Sequence, residues 1–282
     1  MIDRLAIVGV GLLGGSVAQA VRAAKLARTI VGVGRDRQRM AAAVSDGTLD
    51  EVTTDLTAGV RGADVVVLAA PVLVLEQLLA AAWPALGSDA VVTDVGSTKA
   101  NIVRVAERLG AAVPRAFVGS HPMAGSNLAG YAVARPDLFR DATVVVTPTE
   151  LTDARAVKRV TELWESLGGR VVTMDPVAHD RAVAAISHLP HLVAMALVDA
   201  VARGAPGAFD VAARGFKDTT RIAASDPQMW QEIFFANRDA LGATLRTFRT
   251  SLDELERLIE AGDAETVRSA IDRIRTVRER LS

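Results

Sequence analysis

Leu5-Ala6-Ile7-Val8-Gly9-Val10-Gly11-Leu12-Leu13-Gly14-Gly15-Ser16 decides the fold of this chain. Leu5–Val8 is a short, continuous apolar run, as a buried strand requires. Gly9, Gly11 and Gly14 follow in the spacing G-x-G-x-x-G, and Ser16–Ala24 continues with helical character. That spacing alone is a weak signal. Placed between a strand and a helix it points to a dinucleotide phosphate site. Gly9 permits the tight turn and Gly11 leaves room for a pyrophosphate. Gly14 lets the helix pack close to the strand, with the first helical amides around Leu12 and Leu13 facing phosphate. The stretch predicts a Rossmann-type domain with NAD or NADP as cofactor.

Outward from this turn, short β-branched runs alternate with alanine-rich helical stretches. The runs are Thr29–Val33, Val65–Ala69, Ala90–Thr93, Ala116–Gly119, Thr143–Thr147 and Arg170–Met174. Most are continuous and apolar, the pattern of a doubly wound α/β sheet. After Met174 helical periodicity takes over. Ser225-Asp226-Pro227 reads as a capped helix start with a first-turn proline, and the helix is expected from Gln228 to about Ile259. Gly262-Asp263 breaks it, and Asp263 is expected to cap a last helix through Leu281. The expected organisation is a doubly wound Rossmann-type α/β domain over residues 1–175 and an all-α domain over 176–282.

Composition narrows the classes of function. The 282 residues carry a formal net charge of -1, so no basic excess points to nucleic acid or an anionic membrane. There is no cysteine, which removes disulfides, thiolate metal sites and cysteine nucleophiles. The apolar run Ala63–Ala82 contains Asp64, Pro71, Glu76 and Gln77, a poor membrane span, and the N-terminus lacks the layout of a signal peptide. A cytoplasmic protein is expected.

Cofactor choice depends on the end of the second run. An NAD-selective site usually places a carboxylate there for the ribose diol. Here Gly34 holds that place, followed by Arg35, Asp36 and Arg37. Either arginine suits a 2′-phosphate, and the alternative is a solvated charged turn. Ala70 and Pro71, after the third run, fall where such strands meet the cofactor, although Pro71 equally suits the start of a helix.

Three further segments combine turn glycines with polar side chains. They are Thr93-Asp94-Val95-Gly96-Ser97-Thr98-Lys99, Gly119-Ser120-His121-Pro122-Met123-Ala124-Gly125-Ser126, and the pair Ile186–His191 with Gly215–Arg221. His121, on a loop expected at the cofactor-facing edge, suits a proton acceptor, or else merely holds the turn before Pro122. Ser97 suits a hydrogen-bonding guide or a helix N-cap. Lys99 suits loop support. Arg221 suits a bidentate carboxylate clamp or an ion pair with Asp218. His179, Asp180, His188 and His191 lack a metal-site spacing, and no metal is expected.

With GVGLLGGS, DVGSTK, GSHPMAGS, HD followed by AISHLPH, and GFKDTTRIAASDPQMW in this order from residue 7 to 230, the chain resembles the prephenate/arogenate dehydrogenases of tyrosine biosynthesis. The resemblance covers nearly the whole chain, and GSHPMAGS and ISHLPH are its most specific parts. It implies NAD(P)-linked oxidative decarboxylation of prephenate or arogenate. His121 would be the proton acceptor and Ser97 the guide, touching both substrate and nicotinamide. Arg221, His191, Ser126 and Lys217 would hold the substrate, and His188 would belong to the supporting shell. No chorismate mutase or ACT domain is expected in a chain this short. The rival readings are a β-hydroxyacid-type dehydrogenase, which would centre on a lysine of the helical half, and a nucleotide-sensing Rossmann protein without turnover. Apolar stripes on the C-terminal helices, including Trp230, Ile233, Leu241, Leu252 and Ile259, exceed what one small helical domain buries. They predict a two-fold homodimer through that domain.

Overall fold

The computed structural model describes residues 1–110, 117–125 and 128–280. It divides into two compact units, Met1–Asn237 and Arg238–Ser282.

The first unit is built on an eight-stranded sheet. Its strands are β1 (Ile2–Val8), β2 (Ala27–Val33), β3 (Glu51–Thr53), β4 (Val65–Leu68), β5 (Val91–Asp94), β6 (Phe117–Pro122), β7 (Thr143–Thr147) and β8 (Arg170–Thr173). The spatial order is β3-β2-β1-β4-β5-β6-β7-β8. All neighbours run parallel except β6 and β7. The period of two sends alternate residues of β1 to opposite faces. Leu5 and Ile7 join the core cluster containing Val17, Val21 and Trp164, whereas Ala6 and Val8 join the one containing Leu75, Leu79 and Val103. Helices α1 (Leu12–Ala23), α2 (Arg37–Ser45), α3 (Leu56–Val60), α4 (Val72–Ala82), α5 (Ala100–Leu109) and α6 (Ala154–Ser166) connect or flank the strands. The sheet order reverses at β1, so the turn after β1 lies at the switch point where open α/β sheets bind ligands.

The strand pattern follows the sequence reading with two differences. β3, a three-residue edge strand, is too short to show a period. β6 runs on to Pro122 because Gly119–Pro122 pair antiparallel with Val144–Thr147. His121 therefore sits within a strand, opposite Val145, and not on the expected loop. The expected start of that strand at Ala116 lies outside the described residues.

From Asp175 the chain is helical: α7 (Pro176–Val183), a π turn (Ala184–His188), α8 (Leu189–Gly204), α9 (Arg214–Thr220) and α10 (Pro227–Ala236). Asp175 and Asp226 cap α7 and α10 ahead of first-turn prolines. The run Pro176–Gly204 is long and apolar enough to cross a membrane. Asp180 within it, however, is hydrogen-bonded to the amides that open α5. The single helix expected from Gln228 to Ile259 is interrupted. Asn237 leaves helical geometry (φ -119°, ψ 28°) and its side chain is engaged elsewhere in the first unit.

The second unit consists of α11 (Arg238–Glu260) and α12 (Ala264–Glu279). Gly262 turns with φ +69°, and Asp263 caps α12 through Glu265 N and Thr266 N. The expected end of this helix at Leu281 lies outside the described residues.

Candidate active site

The glycine turn has the shape its spacing predicts. Gly9 adopts φ +100°, and a Cβ there would stand 2.3 Å from the Ala69 carbonyl oxygen. A Cβ on Gly14 would stand 2.0 Å from the Gly9 carbonyl oxygen and 3.0 Å from Ile7 Cγ2, so the close approach of α1 to β1 requires glycine. At Gly11 an added Cβ would meet nothing within 4 Å. Gly11 also stands at the N-cap of α1 without a side-chain cap, which leaves the first amides of α1, including those of Leu12 and Leu13, open to an anion. The backbone thus fits a dinucleotide phosphate. Gly34 packs against Met40, where a Cβ would lie 2.9 Å from the sulfur. Arg35 and Arg37 are exposed, while Asp36 is taken up as the N-cap of α2, accepting from Gln38 N at 2.8 Å. Ala70 is half-buried after β4 and Pro71 is the N-cap residue of α4.

The segment after β5 is tied to β6 by a buried polar network. Lys99 and Asp94 form an ion pair with no solvent exposure on either side chain. Lys99 Nζ also donates to the Ser120 carbonyl at 2.9 Å. Asp94 accepts from Gly96 N at 2.8 Å and from Ser120 N at 3.1 Å. Burial pushes the Asp94 carboxyl up and the Lys99 ammonium down, and their mutual attraction opposes both shifts. Trp164 Nε1 and Thr93 Oγ1 complete the network on Ser120 Oγ, at 3.0 and 2.8 Å. This network holds the loop bearing Ser97 beside the strand bearing His121. Ser97 is half-buried and does not cap α5. Asp180 does so instead, with Oδ1 accepting from Lys99 N at 2.7 Å and Oδ2 from Ala100 N at 2.9 Å.

His121 Nδ1 lies 2.9 Å from His179 Nε2, with the two rings edge to face. His179 Nδ1 lies 2.8 Å from Asp180 Oδ1. Burial, reinforced by His179, Lys99 and His188, holds the His121 imidazole well below the ordinary histidine range, so it rests neutral at pH 7. His188 is buried, its Nδ1 3.2 Å from Asn237 Nδ2, and burial lowers its pKa to about 4. His191, one turn on, stacks on Trp230 at a centroid distance of 3.5 Å, while His188 meets the same indole edge-on at 6.0 Å. Trp230 Nε1 is buried without a partner among the described residues, an unspent donor on the ring against which His191 stacks. Burial lowers the His191 pKa as well, against the hydrogen bond between its Nδ1 and the Ser187 carbonyl at 2.9 Å, and the Arg221 charge pushes it down further. Arg221 is exposed and has no ion-pair partner among the described residues. The nearby acid Asp218 faces Arg214 instead, at 3.8 Å. Lys217 is exposed on α9. Ser126 lies outside the described residues. Among the described residues no group of three or more metal-ligating side chains is arranged to hold an ion.

Comparison with known proteins gives the family. Residues 17–173 match the family model described as prephenate dehydrogenase, nucleotide-binding domain, and residues 175–273 match that of its dimerization domain. The chain belongs to the prephenate dehydrogenase family. The prephenate dehydrogenase of Bacillus subtilis is 34% identical over 276 residues, covering 95% of this chain and 73% of that one. A crystal structure of prephenate dehydrogenase from Aquifex aeolicus with hydroxyphenyl propionate and NAD+ is 34% identical, with a TM-score of 0.92 over 100% of this chain and 99% of that one. Synechocystis arogenate dehydrogenase is 32% identical, with a TM-score of 0.85 over 99% of this chain and 100% of its own. As a member of this family, the chain is an NAD(P)-dependent dehydrogenase of tyrosine biosynthesis.

Prephenate dehydrogenase motifs pointed to His121, Ser97, His191 and Arg221, but the contacts of His179 and Asp180 were not visible in the sequence. Their only signal was the adjacent pair His179-Asp180, which was weighed in a metal set and as one of the resembling motifs. In the structure His179 Nδ1, His179 Nε2 and Asp180 Oδ1 are engaged in hydrogen bonds with protein groups.

Proposed function

We propose that this chain oxidatively decarboxylates prephenate or arogenate through His121, Ser97 and Arg221, with NAD or NADP bound at the turn after β1. The observation that carries the assignment is the buried His121 imidazole, hydrogen-bonded to His179 in the same unit as the glycine turn after β1 and the exposed guanidinium of Arg221. NAD(P), held by Gly9, Gly11, Leu12, Leu13, Gly14, Gly34, Arg35, Ala70 and Pro71, supplies the hydride acceptor for the ring carbon bearing the hydroxyl.

His121 takes the hydroxyl proton as that carbon becomes a carbonyl. The ring carboxylate then leaves as carbon dioxide, its bonding electrons pass into the ring, and the oxygen recovers a proton from His121 as the ring becomes aromatic. Ser97 orients the hydroxyl towards His121 and contacts the nicotinamide. Arg221 binds a substrate carboxylate with two parallel hydrogen bonds, and His191, Ser126 and Lys217 line the same subsite. Lys217 is exposed, which does not favour the lysine-centred β-hydroxyacid reading.

Residues 1–175 serve the nucleotide. Residues 176–282 serve the substrate and pair two subunits into a homodimer in the cytoplasm. Support for pairing comes from the dimerization-domain match. It also comes from Leu252, Ile259, Ile271, Ile274 and Val277, which leave large apolar side chains exposed on α11 and α12. Neither nucleic acid nor membrane is assigned a part.

The test is steady-state kinetics with prephenate and arogenate, each crossed with NAD and NADP, on wild type and on His121→Asn. Turnover is expected with at least one pair, and His121→Asn should lower kcat about 10²- to 10⁴-fold while nucleotide binding persists. Near-normal kcat in the folded variant would remove His121 from the chemistry.

A further inference from the structure

His179 and Asp180 are buried and lie behind His121, away from the nucleotide turn in sequence and in element. We propose that they are positioning residues that fix the tautomer of His121 and stabilise the charge it gains, an inference that rests on reading His121 as the proton acceptor.

The argument is proton bookkeeping from the far end of the chain of contacts. Asp180 Oδ1 accepts from Lys99 N at 2.7 Å and Oδ2 from Ala100 N at 2.9 Å. Both bonds lie at the N-terminus of α5 and engage both carboxyl oxygens. The carboxylate is thereby fixed in orientation and can only accept. His179 Nδ1, 2.8 Å from Oδ1, must then carry the proton and donate it. A neutral imidazole with its proton on Nδ1 has a lone pair on Nε2. That lone pair faces His121 Nδ1 at 2.9 Å, so His121 donates to it and carries its own proton on Nδ1. The remaining nitrogen of His121, Nε2, is left with the lone pair, as a proton acceptor needs.

The same arrangement serves the protonated state. When Nε2 of His121 takes the substrate proton, the O–H bond breaks, an N–H bond forms, and the ring becomes imidazolium. Its Nδ1–H then makes a charge-assisted bond to His179, which in turn donates to the Asp180 anion. A cap for α5 alone would need the carboxylate but no imidazole between it and His121. Asn237 holds the turn in place, its Nδ2 donating to the Asp180 carbonyl at 2.7 Å and lying 3.2 Å from His188 Nδ1.

The test uses two substitutions of His179 in the full chain. In His179→Asn the amide can reach Asp180 but not His121. In His179→Gln the longer side chain can offer its carbonyl oxygen to His121 Nδ1. His179→Asn is expected to lower kcat about 10²-fold, within the range for acid–base groups, with KM and NAD(P) Kd little changed. His179→Gln should recover much of that loss.

The chain has four histidines, which makes the ¹⁵N spectrum of histidine-labelled protein assignable by substitution. Wild type should show His121 protonated at Nδ1, and His179→Asn should lose that preference. A folded His179→Asn protein with wild-type kcat and an unchanged His121 tautomer would overturn the inference. If His121→Asn still abolishes turnover in that case, the proton-acceptor reading survives and only the positioning role fails. If His121→Asn leaves kcat intact, the proton-acceptor reading itself is wrong.

Discussion

Lys99→Met probes the framework that holds Ser97 beside His121. The ammonium is fully buried, paired with Asp94 and donating to the Ser120 carbonyl. Methionine preserves much of the length of the side chain and removes the charge. Asp94 would keep only its bonds from Gly96 N and Ser120 N, and the carboxylate would stay buried without a counter-charge. Removing one partner of a buried pair costs about 3–5 kcal/mol. In a chain of this size each kcal/mol moves the melting temperature by roughly 2–4 °C, so Tm should fall by roughly 6–20 °C. The double variant Asp94→Asn/Lys99→Met removes both charges, and replacing a whole buried pair is often close to neutral. It should therefore recover most of the loss. Urea and thermal unfolding of wild type, both single variants and the double variant at pH 7 form a complete cycle. A Lys99→Met protein within about 1 kcal/mol of wild type, or a double variant as unstable as the sum of the singles, would refute the reasoning.

Arg221→Ala should raise KM strongly and lower kcat less, a loss of about 2–5 kcal/mol in substrate binding, with Arg221→Lys recovering part of it. An unchanged KM would return Arg221 to the surface. Because Gly34 stands where a ribose-binding carboxylate is usual, wild type should turn over with NADP as well as NAD, and Arg35→Ala should raise KM for NADP more than for NAD. Strict confinement of wild type to NAD would refute this. His188 binds its proton less readily folded, at about 4, than unfolded, near 6.5, so its contribution of about 3 kcal/mol is complete above pH 6.5 and is lost as pH falls towards 4. Urea unfolding at pH 7 and pH 4.5 should show that drop, and equal stability at the two values would exclude it. Sedimentation should give a dimer that Ile271→Asp weakens, whereas a concentration-independent wild-type monomer would rule the interface out.

What could be read before the structure was whatever short-range physics specifies. The strand–glycine–helix stretch around Gly9–Gly14 is legible because Gly9 turns at φ +100° and a Cβ on Gly14 would strike the Gly9 carbonyl within the same turn. Asp226-Pro227 and Asp263 announced helix starts for the same local reason. The break at Asn237 was not legible. Gln228–Ile259 keeps an apolar helical stripe throughout, and the interruption comes with a side chain committed to the Asp180 carbonyl, 57 residues away in sequence. His121 was placed on a loop because the antiparallel partner that extends β6 begins only at Thr143. Ser97 was weighed as a cap for α5, but the cap is Asp180, 80 residues downstream of Ala100. Residue types thus marked candidates, while the hydrogen bonds that position them cross the fold.

The π turn Ala184–His188 shows how one helical run can supply two different parts of the site. His179 and Asp180 stand before it and engage His121 and the start of α5, whereas His188 and His191 meet Trp230. Leu189 N bonds back to the Ala184 carbonyl, five residues away, which inserts one residue into the helical repeat. One extra residue rotates everything downstream by roughly 100° relative to an uninterrupted α-helix. The turn therefore sets the angle between the groups that engage His121 and α5 and those that meet Trp230. A change that restored regular α geometry there would rotate His188 and His191 relative to His179 and Asp180. It should impair kcat and KM together, unlike a substitution at His179 or Arg221 alone.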